Sequence, residues 1–83
     1  MVQRGRLNNL LSINVSRLRS EQKLTKTTFA LMTGITRQTI SKIERGASDV
    51  RLSYVERMAD VLCVEPSDLI DDSCLDQELH IMP

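Results

Sequence analysis

The sequence predicts an all-α domain of five short helices, on three observations. Apolar residues recur at spacings of three and four in successive segments; threonine, glycine and proline fall where those segments would start and stop; and no segment shows the two-residue alternation of a strand. The chain has 83 residues, 41% apolar and 27% charged. It is therefore expected to form one small folded domain with short tails, too short for a two-domain enzyme and too apolar for disorder.

Leu7, Leu10, Leu11, Val15 and Leu18 put an apolar face on a first helix from about Leu7 to Glu21. Thr25 can cap a second helix by accepting an unpaired backbone N–H. That helix is expected to run to about Met32 and stop at Gly34, which tolerates a left-handed exit. Thr27 and Thr28 are poor helix formers, so packing through Phe29 and Ala30 must hold this segment. Thr36 caps a third helix, which buries Ile40 and Ile43 and ends at Gly46. A fourth covers about Ser53 to Cys63, with Val55, Met58, Ala59 and Leu62 inward, Ser53 and Glu56 as a capping box, and Cys63 expected in the core. Pro66 suits the first position of a fifth helix ending near Ile70. Beyond it, Leu75, Leu79 and Met82 at i, i+4 and i+7, with Ser73 and Asp76 as a capping pair, allow a short sixth helix. The expected organisation is a basic arm over 1–6, a core domain over 7–70 and an acidic tail over 71–83. The tail is either frayed or an ordered arm docked on a partner subunit.

The longest apolar runs, Phe29 to Met32 and Val61 to Val64, fall far short of the roughly 20 residues of a membrane span. Asn8, Asn9, Ser12 and Asn14 interrupt the stretch where a signal peptide would need an apolar core. The expected location is the cytoplasm, with no membrane partner. Cys63 and Cys74 stand alone and His80 is a lone tail histidine, so neither a disulfide framework nor a metal site is indicated, and no cofactor is expected. Ser41 has no histidine base in any repeat pattern, which leaves no nucleophile and no catalytic residue. Asn14-Val15-Ser16 fits a glycosylation acceptor, but it lies inside an apolar helical pattern and carries no weight.

Charge is more informative. The formal net charge is zero, yet nine bases face two acids before Gly46 and two bases face nine acids after it, a separation of +7 from −7. That asymmetry points to a polyanion at the N-terminal half. With one Phe, one Tyr and no Trp, stacking platforms for single-stranded nucleic acid are excluded.

Two short helices joined by a three-residue turn centred on Gly34 match a helix-turn-helix. Ala30 supplies the small residue where the helices cross, four before the glycine; Ile35 is the apolar plug under the turn; and Ile40 and Ile43 anchor the second helix from below. Its outer face is left with Arg37, Gln38, Ser41, Lys42 and Arg45, all able to donate hydrogen bonds. From about Leu10 to Ile70, and most sharply over Gly34-Ile35-Thr36-Arg37-Gln38-Thr39-Ile40-Ser41-Lys42-Ile43-Glu44-Arg45-Gly46, the chain resembles the XRE-like helix-turn-helix family, the DNA-binding domain of the lambdoid phage repressors and Cro. The resemblance implies a compact five-helix bundle whose third helix enters the major groove of double-stranded DNA, and a homodimer on a palindromic site. It also implies a structural ion pair between Arg19 and Glu44.

On that reading Arg37, Gln38, Ser41 and Lys42 contact bases, whereas Thr25, Lys26, Thr36 and Arg45 contact phosphates. The reason for Arg37 and Gln38 is chemical: their paired donors and acceptors fit guanine and adenine edges. Where the family usually has Gln at the start of the second helix, this chain has Lys26, which keeps a phosphate contact and loses an amide-to-base one. Leu31 and Met32 occupy positions usually polar in the family. A slight rotation burying one of them is expected over an exposed patch for a protein partner. The loop Asp49-Val50-Arg51-Leu52 lacks the family's usual Pro and Thr. The acidic half is the expected dimer surface, with Leu52, Tyr54, Val55 and Ile70 as candidates. The expected function is a small transcriptional regulator, a repressor or autoregulator of phage, restriction-modification or antitoxin type. The competing class is a protein-interaction module, such as an antitoxin, whose main partner is another protein.

Overall fold

The computed structural model describes residues 6–46 and 50–71, with the side chain of Arg6 excepted. The expected basic arm up to Gly5, Asp49, and the tail from Asp72 with its sixth helix, Cys74 and His80 lie outside the described residues. Four α-helices are present: α1 (Arg6–Glu21), α2 (Lys26–Thr33), α3 (Arg37–Glu44) and α4 (Leu52–Leu62). The expected fifth helix is instead a single 3-10 turn, Pro66–Ile70. Proline does open it, and a reciprocal Glu65–Asp68 capping box closes its first turn; with five residues it is too short to establish the 13-atom ring pattern of an α-helix. No described helix is long and apolar enough to cross a membrane.

The core lies between α1 and the other elements. Leu11 and Val15 of α1, Phe29 and Ala30 of α2, Ile35 of the turn, Ile40 and Ile43 of α3, Met58, Ala59 and Leu62 of α4, and Leu69 of the 3-10 turn form one buried cluster. Leu18 and Val55 are half-buried against it. Leu7, expected on the same α1 face, is exposed: it stands a turn beyond the elements that cover Leu10 and Leu11.

Several local readings differ from expectation. α4 starts one residue early, capped by the backbone of Arg51 with no side-chain bond, so the Ser53–Glu56 capping box does not form. Cys63 is not core: α4 ends at Leu62, and Cys63 takes a left-handed φ of 60° as the C-cap, which turns its thiol out to solvent. α3 stops at Glu44 rather than Gly46, with Arg45 capping it. Gly46 nevertheless serves a purpose. Its φ is 66°, and a Cβ there would sit 3.2 Å from Asn9 Oδ1, so a larger residue would press on α1.

Asn14 is a buried polar residue on the apolar face of α1, 1% exposed. Its Nδ2 donates to the carbonyl oxygens of Leu69 (2.9 Å) and Asp71 (3.0 Å), clamping the end of the 3-10 turn onto α1. A buried carbonyl stripped of its donor pays its desolvation in full. Asn14→Ala should therefore lose about 1 to 2 kcal/mol of stability, read as a lower urea midpoint at unchanged slope; an unshifted midpoint would show that the clamp contributes nothing.

Candidate nucleic-acid interface

The turn between α2 and α3 is built from short-range bonds. Gly34 caps α2 at φ 73°, its N–H returning to the Ala30 carbonyl. Thr33 is buried; its hydroxyl donates to the Phe29 carbonyl (2.9 Å) and accepts the Ile35 N–H (3.2 Å), so one side chain ties the helix end to the residue that plugs the turn. Ile35 is 3% exposed. Ile40 and Ile43 pin α3 from beneath, which fixes what the opposite side of the helix presents.

That opposite side holds the expected residues. Arg37, Gln38, Lys42 and Arg45 are exposed, and Ser41 is half-buried beside them. Thr25 and Thr36 are exposed N-caps, and Lys26, half-buried, is the first residue of α2. The outer face of α3 and the N-terminus of α2 are thus joined by the short turn, and most of the basic half of the sequence lies on α1 to α3.

Two residues were missed in the sequence reading. The Thr25 hydroxyl accepts the Thr28 N–H and bonds the Thr28 hydroxyl at 3.0 Å; Thr36 repeats this with Thr39 at 2.8 Å. With one hydroxyl of each pair donating to the other, each cap retains a single O–H proton that can point outward. The repeated Thr-x-x-Thr spacing was the available signal.

Behind this face, Arg19 reaches from α1 to the last residue of α3. Its Nε and Nη2 donate to Glu44 Oε2 and Oε1 at 2.7 and 3.0 Å, and its Nη1 donates to the Leu24 carbonyl at 2.6 Å. The two side chains are 14% and 6% exposed. The Ser12 hydroxyl also bonds the Glu44 carbonyl. One guanidinium thereby fixes both the end of α3 and the segment that leads into α2.

Leu31 and Met32 are both exposed, by 80% and 54%, so no rotation buries either. α2 touches the core through Phe29, Ala30 and Thr33, and that register turns Leu31 and Met32 outward. Of the expected dimer candidates, Leu52, Val55 and Ile70 line one groove. Tyr54 stands apart with Arg51 and Arg57 guanidinium groups 5.8 and 5.9 Å from its ring centroid.

The Helix-turn-helix family HTH_3 matches the sequence over residues 15–69. Among solved structures, the chain is similar to the restriction-modification controller protein C.AhdI from Aeromonas hydrophila, at 27% identity and a TM-score of 0.72, over 75% of this chain and 94% of that one. It is similar to the hypothetical transcription factor NHTF from Neisseria, at 28% identity and a TM-score of 0.76, over 78% and 73% of the two chains. A third likeness is to the SOS-response transcriptional repressor LexA from Eubacterium rectale, at 25% identity and a TM-score of 0.75, over 86% and 74%. No curated protein sequence matches significantly.

Proposed function

The chain belongs to the Helix-turn-helix family and is a DNA-binding transcriptional regulator, and from that premise we propose that it is a homodimeric repressor or autoregulator reading a palindromic site with α3. The observation that carries this reading is the outer face of α3, where Arg37 and Gln38 stand exposed in the first turn while Ile40 and Ile43 hold the helix to the core. Side chains at the start of a recognition helix reach base edges. Arg37, Gln38, Ser41 and Lys42 are assigned to bases in the major groove. Lys26 and Arg45, with the Thr25 and Thr36 caps, are assigned to the flanking phosphates, which the two helix N-termini also favour.

One recognition helix covers few base pairs, and a second copy doubles the specific contacts. The acidic half is the surface assigned to subunit contact, since acid near DNA is repelled; Leu52, Tyr54, Val55 and Ile70 are its candidate residues. Similarity to a restriction-modification controller protein supports a role in governing such a system. Sedimentation at about ten micromolar and above should show a dimer, and a footprint should be two-fold symmetric with half-site centres about 10 to 10.5 bp apart or a multiple of that. Monomer alone, with or without DNA, would contradict the dimer; an asymmetric footprint would contradict the palindrome.

The exposed Leu31–Met32 pair favours a second reading, in which this α2 patch docks another protein. Tight association with a neighbouring gene product in the absence of duplex binding would support that reading. Salt-sensitive preference for one duplex over a random one supports the first.

A further inference from the structure

An apolar groove runs between the start of α1, the start of α4 and the end of the 3-10 turn, with Leu7, Leu11, Val50, Leu52, Val55 and Ile70 in its lining. Leu7, Leu52 and Ile70 leave 57%, 81% and 43% of their surface to solvent, an apolar concentration that ordinarily has a cover. Ile70 is also the last residue of the 3-10 turn, so the chain departs from the groove's own wall. Residues 72–83 follow. They carry Leu75, Leu79 and Met82 at spacings of four and three, one stripe of a helix, with Asp76 and Glu78 on either side of that stripe. Four residues separate Asp71 from Leu75, a reach of up to about 14 Å.

The groove's borders are basic where the tail is acidic. Arg51 lies between the lining residues Val50 and Leu52 and is exposed, and Arg4 and Arg6 precede Leu7. A segment tethered by so short a link meets the groove at an effective concentration of about millimolar, above that of a second copy at micromolar protein.

We propose that residues 73–82 cover this groove in their own chain, with the Leu75–Leu79–Met82 stripe against Leu7, Leu11, Val55 and Ile70 and the flanking acids toward Arg51. The tail is then part of the folded domain. Among the subunit-contact candidates, Val55 and Ile70 wall the filled groove, while Leu52 and Tyr54 remain at its rim. This inference does not depend on DNA binding.

Methyl-labelled full-length chain tests it by nuclear Overhauser spectroscopy. Uniformly labelled protein should show cross-peaks from Leu75 and Leu79 methyls to Val55 and Ile70 methyls, and an isotope-filtered spectrum of mixed labelled and unlabelled chains should lack them. Leu79→Asp should shift the groove methyls and raise binding of an apolar dye; Gln77→Asp, off the stripe, should do neither. Filtered cross-peaks would assign the groove to the tail of a second copy and overturn the proposal. Absence of any tail-to-groove cross-peak would overturn it equally.

Discussion

Replacing Glu44 with alanine is expected to leave the chain largely unfolded at room temperature. The Glu44 carboxylate is 6% exposed and takes two hydrogen bonds from Arg19, itself 14% exposed. Removing it strands a guanidinium in the space between α1 and α3, at a cost of about 3 to 5 kcal/mol. A small core commonly supplies only about 3 to 5 kcal/mol of net stability, so a single change of this kind can consume all of it. The damage also spreads, because the freed Arg19 still holds the Leu24 carbonyl and can keep its charge solvated only by pulling that bond apart. Removing both charges is a different matter. An apolar pair of similar volume avoids both desolvation penalties, so Arg19→Leu/Glu44→Leu should melt well above Glu44→Ala. Thermal melts by circular dichroism check both variants; a near-native midpoint for Glu44→Ala would show that the pair stabilises little.

Features fixed by neighbours in sequence were legible, and those fixed at long range were not. Thr25, Gly34 and Thr36 act within three or four residues of themselves, and the structure uses each of them where the local rules place it. Ile35, Ile40 and Ile43 were readable for the same reason: turn geometry and helical period leave them one side to face. Asn14 lies on the stripe of Leu10, Leu11 and Val15, but what makes a polar residue welcome there is a pair of carbonyls 55 and 57 positions away. Cys63 fitted the α4 repeat, and only the left-handed exit that leads into the 3-10 turn reverses it. For Leu31 and Met32 the period allowed two rotations, and contacts of Phe29, Ala30 and Thr33 select the one that exposes both. The candidate interface was legible as a set of residues. Its threonine pairs were not, since hydroxyl-to-hydroxyl bonds across an N-cap need geometry.

Gln38→Ala and Lys26→Ala are expected to weaken DNA binding in different ways. Gln38 stands exposed on the first turn of α3, where an amide can present a donor and an acceptor to one base edge. Its loss should cost about 1 to 3 kcal/mol, roughly 5- to 150-fold, on the cognate site, and relax preference at one base pair per half-site. Random duplex, which offers no matched edge, should be bound much as before. Lys26 is a charge at the entry of α2. A phosphate contact carries no sequence information, so Lys26→Ala should weaken cognate and random duplexes alike and reduce the magnitude of the salt slope by about 1 per contact.

The most direct measurement is therefore a titration of the unmodified chain, Gln38→Ala and Lys26→Ala against cognate and scrambled duplexes at several salt concentrations. The predicted result is a loss confined to the cognate duplex for Gln38→Ala, and a uniform loss with a shallower salt slope for Lys26→Ala. Equal loss on both duplexes for Gln38→Ala would contradict the assignment of base reading to the outer face of α3.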